Sequence, residues 1–342
     1  MSSSKRKVLL WAGIVLLASV IAAVAIYDAV RRKSDPQTAA FTAMGSPFSV
    51  TVYDKDGADF DAVREAVDAL DNEISRNIAG SKITALNENK YVGGLSADAL
   101  ECINASLDIC RDSGGALDIT IGDLSALWDF DSGRGVPPAQ AEIEFVLSGV
   151  DFSLVSIDDD NISTGASQSL DLGAVGKGAA CDVIKRELER QGVQTAIVSA
   201  GGTVMTFGDK SGGAWSVGIR TPETDNISGE YFAKLSLEGT VFVSTSGSYE
   251  KCFEYGGRLY HHILDPSTGC PSDSGLVSVT VIAGSGTVAD ALSTACFVLG
   301  YDRSLDLLEK YGAEAIFVTA DKSVLTFGGV GDILEITDDD YR

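Results

Sequence analysis

The sequence predicts an α+β fold of largely antiparallel sheets with packed helices, preceded by one N-terminal transmembrane helix. Three observations predict it. Strand-like alternating runs outnumber helical ones, and many neighbouring runs are joined by short polar or glycine turns rather than by crossover helices. The first thirty-odd residues, finally, are a different material from the rest.

Lys5-Arg6-Lys7 precedes an uncharged run over residues 8–27, and Arg31-Arg32-Lys33 follows it. At about 1.5 Å per residue, that run can cross a hydrocarbon core of roughly 30 Å. A cleaved signal peptide is the rival, because Ala23-Val24-Ala25 has the form that signal peptidases accept. The apolar stretch exceeds the about 7–15 residues of a signal core, and the basic cluster after it reads as a stop, which favours a retained anchor. The flanking charges are balanced and do not choose an orientation. Short N-terminal anchors usually keep their tail inside, so the expectation is a single-pass cell-membrane protein with residues 34–342 extracytoplasmic. The expected organisation is an anchor or signal segment over 1–33, a linker over 34–41 and one folded domain over 42–342.

Within that domain, residues 48–53 alternate as a strand. Phe60–Ile74 has helical periodicity, with Val63, Val67, Leu70 and Ile74 on one face. A helix over 97–113 stops at Gly114-Gly115, and Pro137-Pro138 opens a short one. Residues 168–172 read as a strand, followed by a glycine turn and a helix to about Gln191. Strands are then expected over 195–199, 204–207, Trp215–Arg220, Tyr231–Leu237, 241–245, 258–264 and 277–282, with a helix over 288–299. No fixed-period repeat stands out.

The chain carries a net charge of −23, and residues 1–33 hold six basic residues against Asp28 alone, so the folded part is more acidic still. Such a surface repels nucleic acid and anionic lipid. An anionic substrate would need a local cation or a helix N-terminus. Six cysteines form no C-x-x-C, and the two histidines are adjacent, which argues against zinc. Cys181 and Cys296 fall in apolar helical patterns and are expected to be small buried hydrophobes.

Three segments could carry chemistry. In Asp171-Leu-Gly-Ala-Val-Gly-Lys-Gly178, a glycine turn opens a helix with Lys177 at its mouth. Backbone N–H groups and a lysine there can hold a phosphate, although glycines in a tight turn also serve close packing. In Ala289-Asp290-Ala-Leu-Ser-Thr294, Asp290 and Thr294 share a helix face and are hard oxygen ligands suited to Mg²⁺, although an Asp in a first helical turn is also simply favourable there. In Tyr260-His261-His262-Ile-Leu-Asp265-Pro-Ser-Thr-Gly269, a strand runs into a turn, so the two histidines should point to opposite faces. The one beside a pocket could accept a proton from a hydroxyl or merely bond the turn.

Read together, these segments resemble the FAD:protein FMN transferase (ApbE) family. Met44-Gly45-Ser46 resembles its opening M-G-T, and Ile74-Ser75 through Ser81, Ile83 and Leu86-Asn87 its I-S…S-x-I-x-x-L-N stretch. Gly115-Ala-Leu-Asp118-Ile-Thr-Ile-Gly122 is similar to G-A-F-D-x-T-x-G. Residues 171–182, Gly201-Gly202, 215–219, Thr245-Ser-Gly-Ser-Tyr249, 262–269 and 289–294 follow in the family's order.

The resemblance implies a T-fold-like architecture with FAD in a cleft and Mg²⁺ beside its pyrophosphate. It carries Met44, Ala116, Leu117, Asp118, Asp171, Lys177, His262 and Ile263 over as FAD-binding residues. Ala174 (through its carbonyl), Asp290 and Thr294 would bind Mg²⁺, and His262 and Asp290 would be catalytic. His262 either deprotonates the acceptor hydroxyl or orients FAD. Departures are Asn77 where a flavin-contacting tyrosine is frequent, Leu117 for phenylalanine and Ser46 for threonine.

The implied reaction moves FMN from FAD to a Thr or Ser of an exported acceptor flavoprotein and releases AMP. The family's acceptors carry a segment of the type D-G-A-T-x-A-T, which this chain lacks. A Mg²⁺-dependent FAD pyrophosphatase giving FMN and AMP, or a non-catalytic FAD-binding surface protein, would need the same cleft.

Overall fold

The computed structural model describes residues 36–133, 135–210, 212–223 and 229–342. The membrane-spanning segment expected over residues 8–27 lies outside them. Among the described residues, no helix is long and apolar enough to cross a membrane.

Numbered along the chain, the principal strands are β1 (Gln37–Ala43), β2 (Ser46–Val52), β3 (Ala196–Ala200), β4 (Thr203–Phe207), β5 (Trp215–Arg220), β6 (Tyr231–Leu237), β7 (Val241–Gly247), β8 (Cys252–Tyr255), β9 (Arg258–His261), β10 (Leu276–Ala283), β11 (Glu314–Thr319), β12 (Val324–Phe327) and β13 (Leu334–Ile336). The helices are α1 (Phe60–Ile74), α2 (Lys82–Asn89), α3 (Ala97–Asp112), α4 (Gly122–Trp128), α5 (Gln140–Leu147), α6 (Gly176–Gln191), α7 (Gly286–Leu299) and α8 (Tyr301–Lys310).

An eight-stranded sheet in the order β1-β2-β3-β4-β7-β10-β11-β12 is antiparallel throughout. One face carries Phe48, Val50, Val198, Met205, Phe242, Val281 and Phe317 into a core shared with α1, α3, α6 and α7. The other face sends Ile197, Val204, Val243, Ile282 and Ile316 against a three-stranded sheet, β13-β6-β5, and its Phe232, Leu235 and Trp215. The α+β, largely antiparallel expectation therefore holds for the described residues, in three layers: helices, large sheet, small sheet.

Several local expectations need correction. Residues 37–41, read as linker, belong to β1, which pairs with β2 from Gln37↔Val52 to Ala43↔Ser46. Its small, half-exposed residues at a sheet edge give little hydrophobic alternation, so sequence pattern could not find it. Residues 168–172 are not a strand: Ser169 makes only an isolated parallel bridge to Ile121. The strand expected over 258–264 breaks after His261, and Leu264–Asp265 pairs separately with Cys270–Pro271. Asp290, expected on a polar helix face, is only 4 % exposed, because α7 is packed nearly all round. The six cysteines are free thiols, and Cys181 and Cys296 are fully buried.

The core helices are related by an internal duplication. Residues 192–208 and 312–328 align without a gap, matching Gly192 to Gly312, Val198 to Val318, Val204 to Val324, and Thr206-Phe207-Gly208 to Thr326-Phe327-Gly328. Each segment forms a hairpin, β3–β4 or β11–β12. The helices before them match as well: Gly178-Ala-Ala-Cys-Asp182 in α6 and Gly286-Thr-Val-Ala-Asp290 in α7. Where α6 crosses α7, a Cβ on Gly178 would sit 2.0 Å from the Gly286 carbonyl oxygen, and one on Gly286 2.2 Å from that of Gly178. Only glycine at both positions permits this approach.

Candidate functional site

The duplication sets the two aspartates at each other's helix starts. Asp182 of α6 caps α7, accepting from the Gly286 N–H (2.8 Å), the Thr287 N–H (2.8 Å) and the Ser285 and Thr287 hydroxyls (3.0 and 2.8 Å). Asp290 of α7 does less capping, since Oδ2 accepts only the Gly178 N–H at 2.9 Å. Its Oδ1 accepts from the Ser244 hydroxyl at 2.6 Å and, more loosely, from Thr203 at 3.4 Å. Among the described residues, no basic side chain reaches Asp290 within ion-pair distance. A buried carboxylate held only by neutral donors is poorly compensated.

The α6 start is built to leave a second oxygen beside it. The Val175 and Gly176 N–H groups turn back onto the Leu172 carbonyl at 3.1 and 2.9 Å. Gly178, whose N–H would reach the Ala174 carbonyl if the helix began one residue earlier, donates to Asp290 instead, so the Ala174 oxygen has no donor among the described residues. Thr294, one turn beyond Asp290, places its Oγ1 3.1 Å from Ser246 Oγ, which also contacts Ser293 Oγ at 2.8 Å. The Asp290 carboxylate, the Thr294 hydroxyl and the Ala174 carbonyl are hard oxygen donors, the ligand type that Mg²⁺ takes. Among the described residues, no cluster of three His, Cys, Asp or Glu exists that could hold a metal.

Around this start the β1–β2 turn, the β3–β4 turn and Lys177 converge. Met44 and Gly45 both adopt left-handed backbone (φ 51° and 67°), the tight-hairpin geometry that a non-glycine residue rarely takes. The Met44 N–H is fixed by Asp71 Oδ2 at 2.9 Å, and its sulfur would lie 3.6 Å from a Cβ on Gly176. A Cβ on Gly201 would meet Lys177 Cδ at 3.1 Å and Ser46 Oγ at 3.2 Å. Asp171 closes the other side: its N–H bonds Ile119, one oxygen holds the Gly173 N–H (2.9 Å), and the other pairs with Arg76 at 3.2 Å.

The two histidines separate cleanly. His261 is buried, with Nε2 3.1 Å from the Ser272 carbonyl, its ring edge-on to Phe297, and burial pushing its basicity down. His262 is half-buried, with Nδ1 3.1 Å from the Glu250 carbonyl oxygen. A carbonyl can only accept, so Nδ1 carries the hydrogen and Nε2 keeps its lone pair. Burial first, then the fields of Lys251, Lys177 and His261, push the His262 pKa down to about 4 against the Glu250 bond.

The 116–118 stretch, expected to bind FAD, is held firmly in place. Both Asp118 oxygens are taken by backbone and hydroxyl donors: Oδ1 by the Thr120 N–H and hydroxyl (2.8 and 2.6 Å), Oδ2 by the Phe152 N–H of a distant turn (3.1 Å). Burial raises its pKa despite those bonds. Ala116, Leu117 and Ile263 are likewise buried, so these positions shape a wall rather than reach out. Sequence reading missed Ser244, Thr203, Arg76 and Lys251. The serine alternation in Val243-Ser244-Thr245-Ser246 was the available signal for the first.

The ApbE family model matches residues 44–317. The chain is 33% identical over 321 residues to the FAD:protein FMN transferase of Treponema pallidum, covering 86% of this chain and 88% of that one. It is 32% identical to that of Klebsiella pneumoniae, over 82% of this chain and 89% of the other. Among solved structures, the ApbE protein of Thermotoga maritima superposes with a TM-score of 0.75 at 29% identity, covering 85% of this chain and 96% of that one. The apo flavinyl transferase ApbE of Pseudomonas stutzeri does so at 0.72 and 30%, covering 87% and 96%. On matches of this extent, from sequence and from fold, the chain belongs to the ApbE family.

Proposed function

We propose that this chain is a Mg²⁺-dependent FAD:protein FMN transferase that moves FMN from FAD onto a threonine or serine hydroxyl of another protein and releases AMP. The observation that carries the reading is a buried carboxylate (Asp290), with no cation at ion-pair distance among the described residues, set against the start of α6 where Lys177 sits. In an acidic chain this is where pyrophosphate charge is tolerated. Bound Mg²⁺ would offset charge on the phosphates and the leaving AMP.

The chain's own groups do the rest. Asp290, Thr294 and the Ala174 carbonyl would hold the cation, and Lys177 would bind phosphate oxygen. Met44, Asp171 and the buried 116–118 and Ile263 wall would frame FAD. The acceptor oxygen attacks the FMN-side phosphorus, the bond to AMP oxygen breaks, and the hydroxyl proton passes to His262 Nε2.

Incubation with FAD, Mg²⁺ and an acceptor bearing a D-G-A-T-x-A-T segment, followed by mass analysis, tests this. FMN mass on the acceptor with equimolar AMP is expected. Free FMN plus AMP in its place would make the chain a pyrophosphatase, and intact FAD would make it a binder. Thr294→Val is expected to raise the Mg²⁺ concentration for half-maximal transfer roughly tenfold, as loss of one neutral ligand should. Unchanged metal dependence would remove Thr294 from the set.

We further propose that residues 1–33 anchor the chain with its folded domain extracytoplasmic, on the strength of the uncharged run over 8–27 and its basic flanks. The mature N-terminus should precede residue 8. An N-terminus just after Ala25 would show a cleaved signal instead.

A further inference from the structure

The small sheet leaves part of the large sheet uncovered. Its order β13-β6-β5 makes β5 an edge strand, with no partner on its far side among the described residues. Beside that edge, a groove of about 230 Å³ lies between β5 and the outer face of β2, β3 and β4. Ser49, Thr51, Ile197, Ser199 and Val204 form its floor, and Ser216, Val217 and Gly218 of β5 its wall. Floor residues come from one face of paired strands, since Ser49 opposes Ser199 and Ser199 opposes Val204. The wall includes consecutive residues of one strand, as a backbone edge does. The groove therefore lies against a backbone edge that has no partner strand among the described residues.

It also leads to the site. β5 starts where the Trp215 indole N–H donates to the Gly208 carbonyl and ends with Arg220 over the Tyr249 ring at 5.8 Å. Tyr249 adjoins Glu250, whose carbonyl fixes His262, and Lys251, whose charge acts on His262. At the same end, the Thr245 N–H bonds the Gly202 carbonyl beside Lys177. None of the groove's lining residues is charged, in a chain of net charge −23. An extended segment carrying an acidic residue meets less repulsion there than elsewhere on this surface.

We infer that the acceptor polypeptide docks as an added antiparallel or parallel strand along the free edge of β5, over β2 and β3, which delivers its hydroxyl to the His262 end. Main-chain bonds supply affinity in such strand addition, and alternate side chains supply selection. Five of its eight lining residues are serine, threonine or glycine, and the other three are Ile197, Val204 and Val217. This inference rests on the transferase reading.

The test uses the folded chain with FAD, Mg²⁺ and a synthetic peptide containing D-G-A-T-x-A-T. Ser49→Arg and Ser199→Arg, at surface positions, should each raise the KM for the peptide roughly tenfold or more by filling the groove, while Ser49→Ala stays near the parent. The Kd for FAD, measured by flavin fluorescence, should not move in any of them, which also certifies folding. Peptides N-methylated on alternate amides should lose transfer in one phase of the alternation and keep it in the other. Parent-like KM in both arginine variants, or equal tolerance of both methylation patterns, would overturn docking while leaving the transferase reading intact. No FMN on the peptide with the parent chain would overturn the transferase reading and this inference with it.

Discussion

Asp290→Asn is expected to lower FMN transfer by roughly a thousandfold or more while leaving the fold in place, because it removes the one carboxylate of the proposed cation set. Asparagine preserves shape and most bonds. Its oxygen can accept the Gly178 N–H, now 2.9 Å from Oδ2, and its amide can donate to Ser244 Oγ, a hydroxyl that can turn from donor to acceptor. Asp290→Ala is the poorer experiment. It would strand the buried Gly178 N–H at the α6–α7 crossing, at a cost of about 1–3 kcal/mol, and confound stability with chemistry. Thermal unfolding near the parent's, with FAD turnover abolished across Mg²⁺ concentrations, is the expected pair of results. Turnover within a few fold of the parent at ordinary Mg²⁺ would remove Asp290 from the site.

The asparagine variant is preferable for a reason that the sequence did not expose. Asp290 and Thr294 could be paired from their spacing, because i and i+4 share a helix face whatever the fold. That the face is buried, and that Asp290 lies at the start of another helix, depends on the α6–α7 crossing at Gly178 and Gly286. Those glycines are far apart in sequence, and their contact is backbone to backbone, so no side-chain pattern announces it. The comparison that would have found it is internal: the Gly-x-x-x-Asp in each helix, followed by hairpins ending in Thr-Phe-Gly. An interval interrupted by α8 in the second copy is not a fixed period, and a search for regular repeats passes over it.

Strands with strong alternation were legible, and Trp215–Arg220 and Tyr231–Leu237 match their predicted bounds. β1 was not, since an edge strand of Thr and Ala buries too little to leave a pattern. The residues around 168–172 show the opposite error. Gln168, Ser169 and Leu170 are buried and extended, but Asn87 bonds Leu170 on both its N–H and its carbonyl, and occupies positions a sheet partner would need. Side-chain capture of a backbone segment looks like a strand in hydrophobicity alone. Asp118 likewise spends its carboxylate on backbone, bonding Thr120 beside it and the distant Phe152 N–H. A motif can mark a site while its acidic residue serves the loop's shape.

His262→Asn is expected to lower kcat by roughly 10²–10³-fold with the Kd for FAD nearly unchanged, because Nε2 is the lone pair left free to take the acceptor's proton. Asparagine can still donate to the Glu250 carbonyl, so the loop is held and only the base is lost. The acid limb of kcat/KM supplies an independent reading. An ordinary histidine protonates near 6.5, whereas burial and the neighbouring Lys251 and Lys177 hold His262 down to about 4. The imidazole is thus neutral and competent through pH 5, and activity should fall only as pH approaches about 4. The sign for stability follows from the same shift. Between 6.5 and about 4 the unfolded chain binds a proton that the folded chain refuses, so this group's contribution is complete above 6.5 and is lost as pH falls through that window. Lys251→Ala, which removes a positive charge from beside the ring, should move the acid limb upward toward 6.5, and the His262 ring-proton resonance should titrate with it. An acid limb near 6.5 in the parent chain, or one that ignores Lys251→Ala, would show that a group other than His262 governs proton removal.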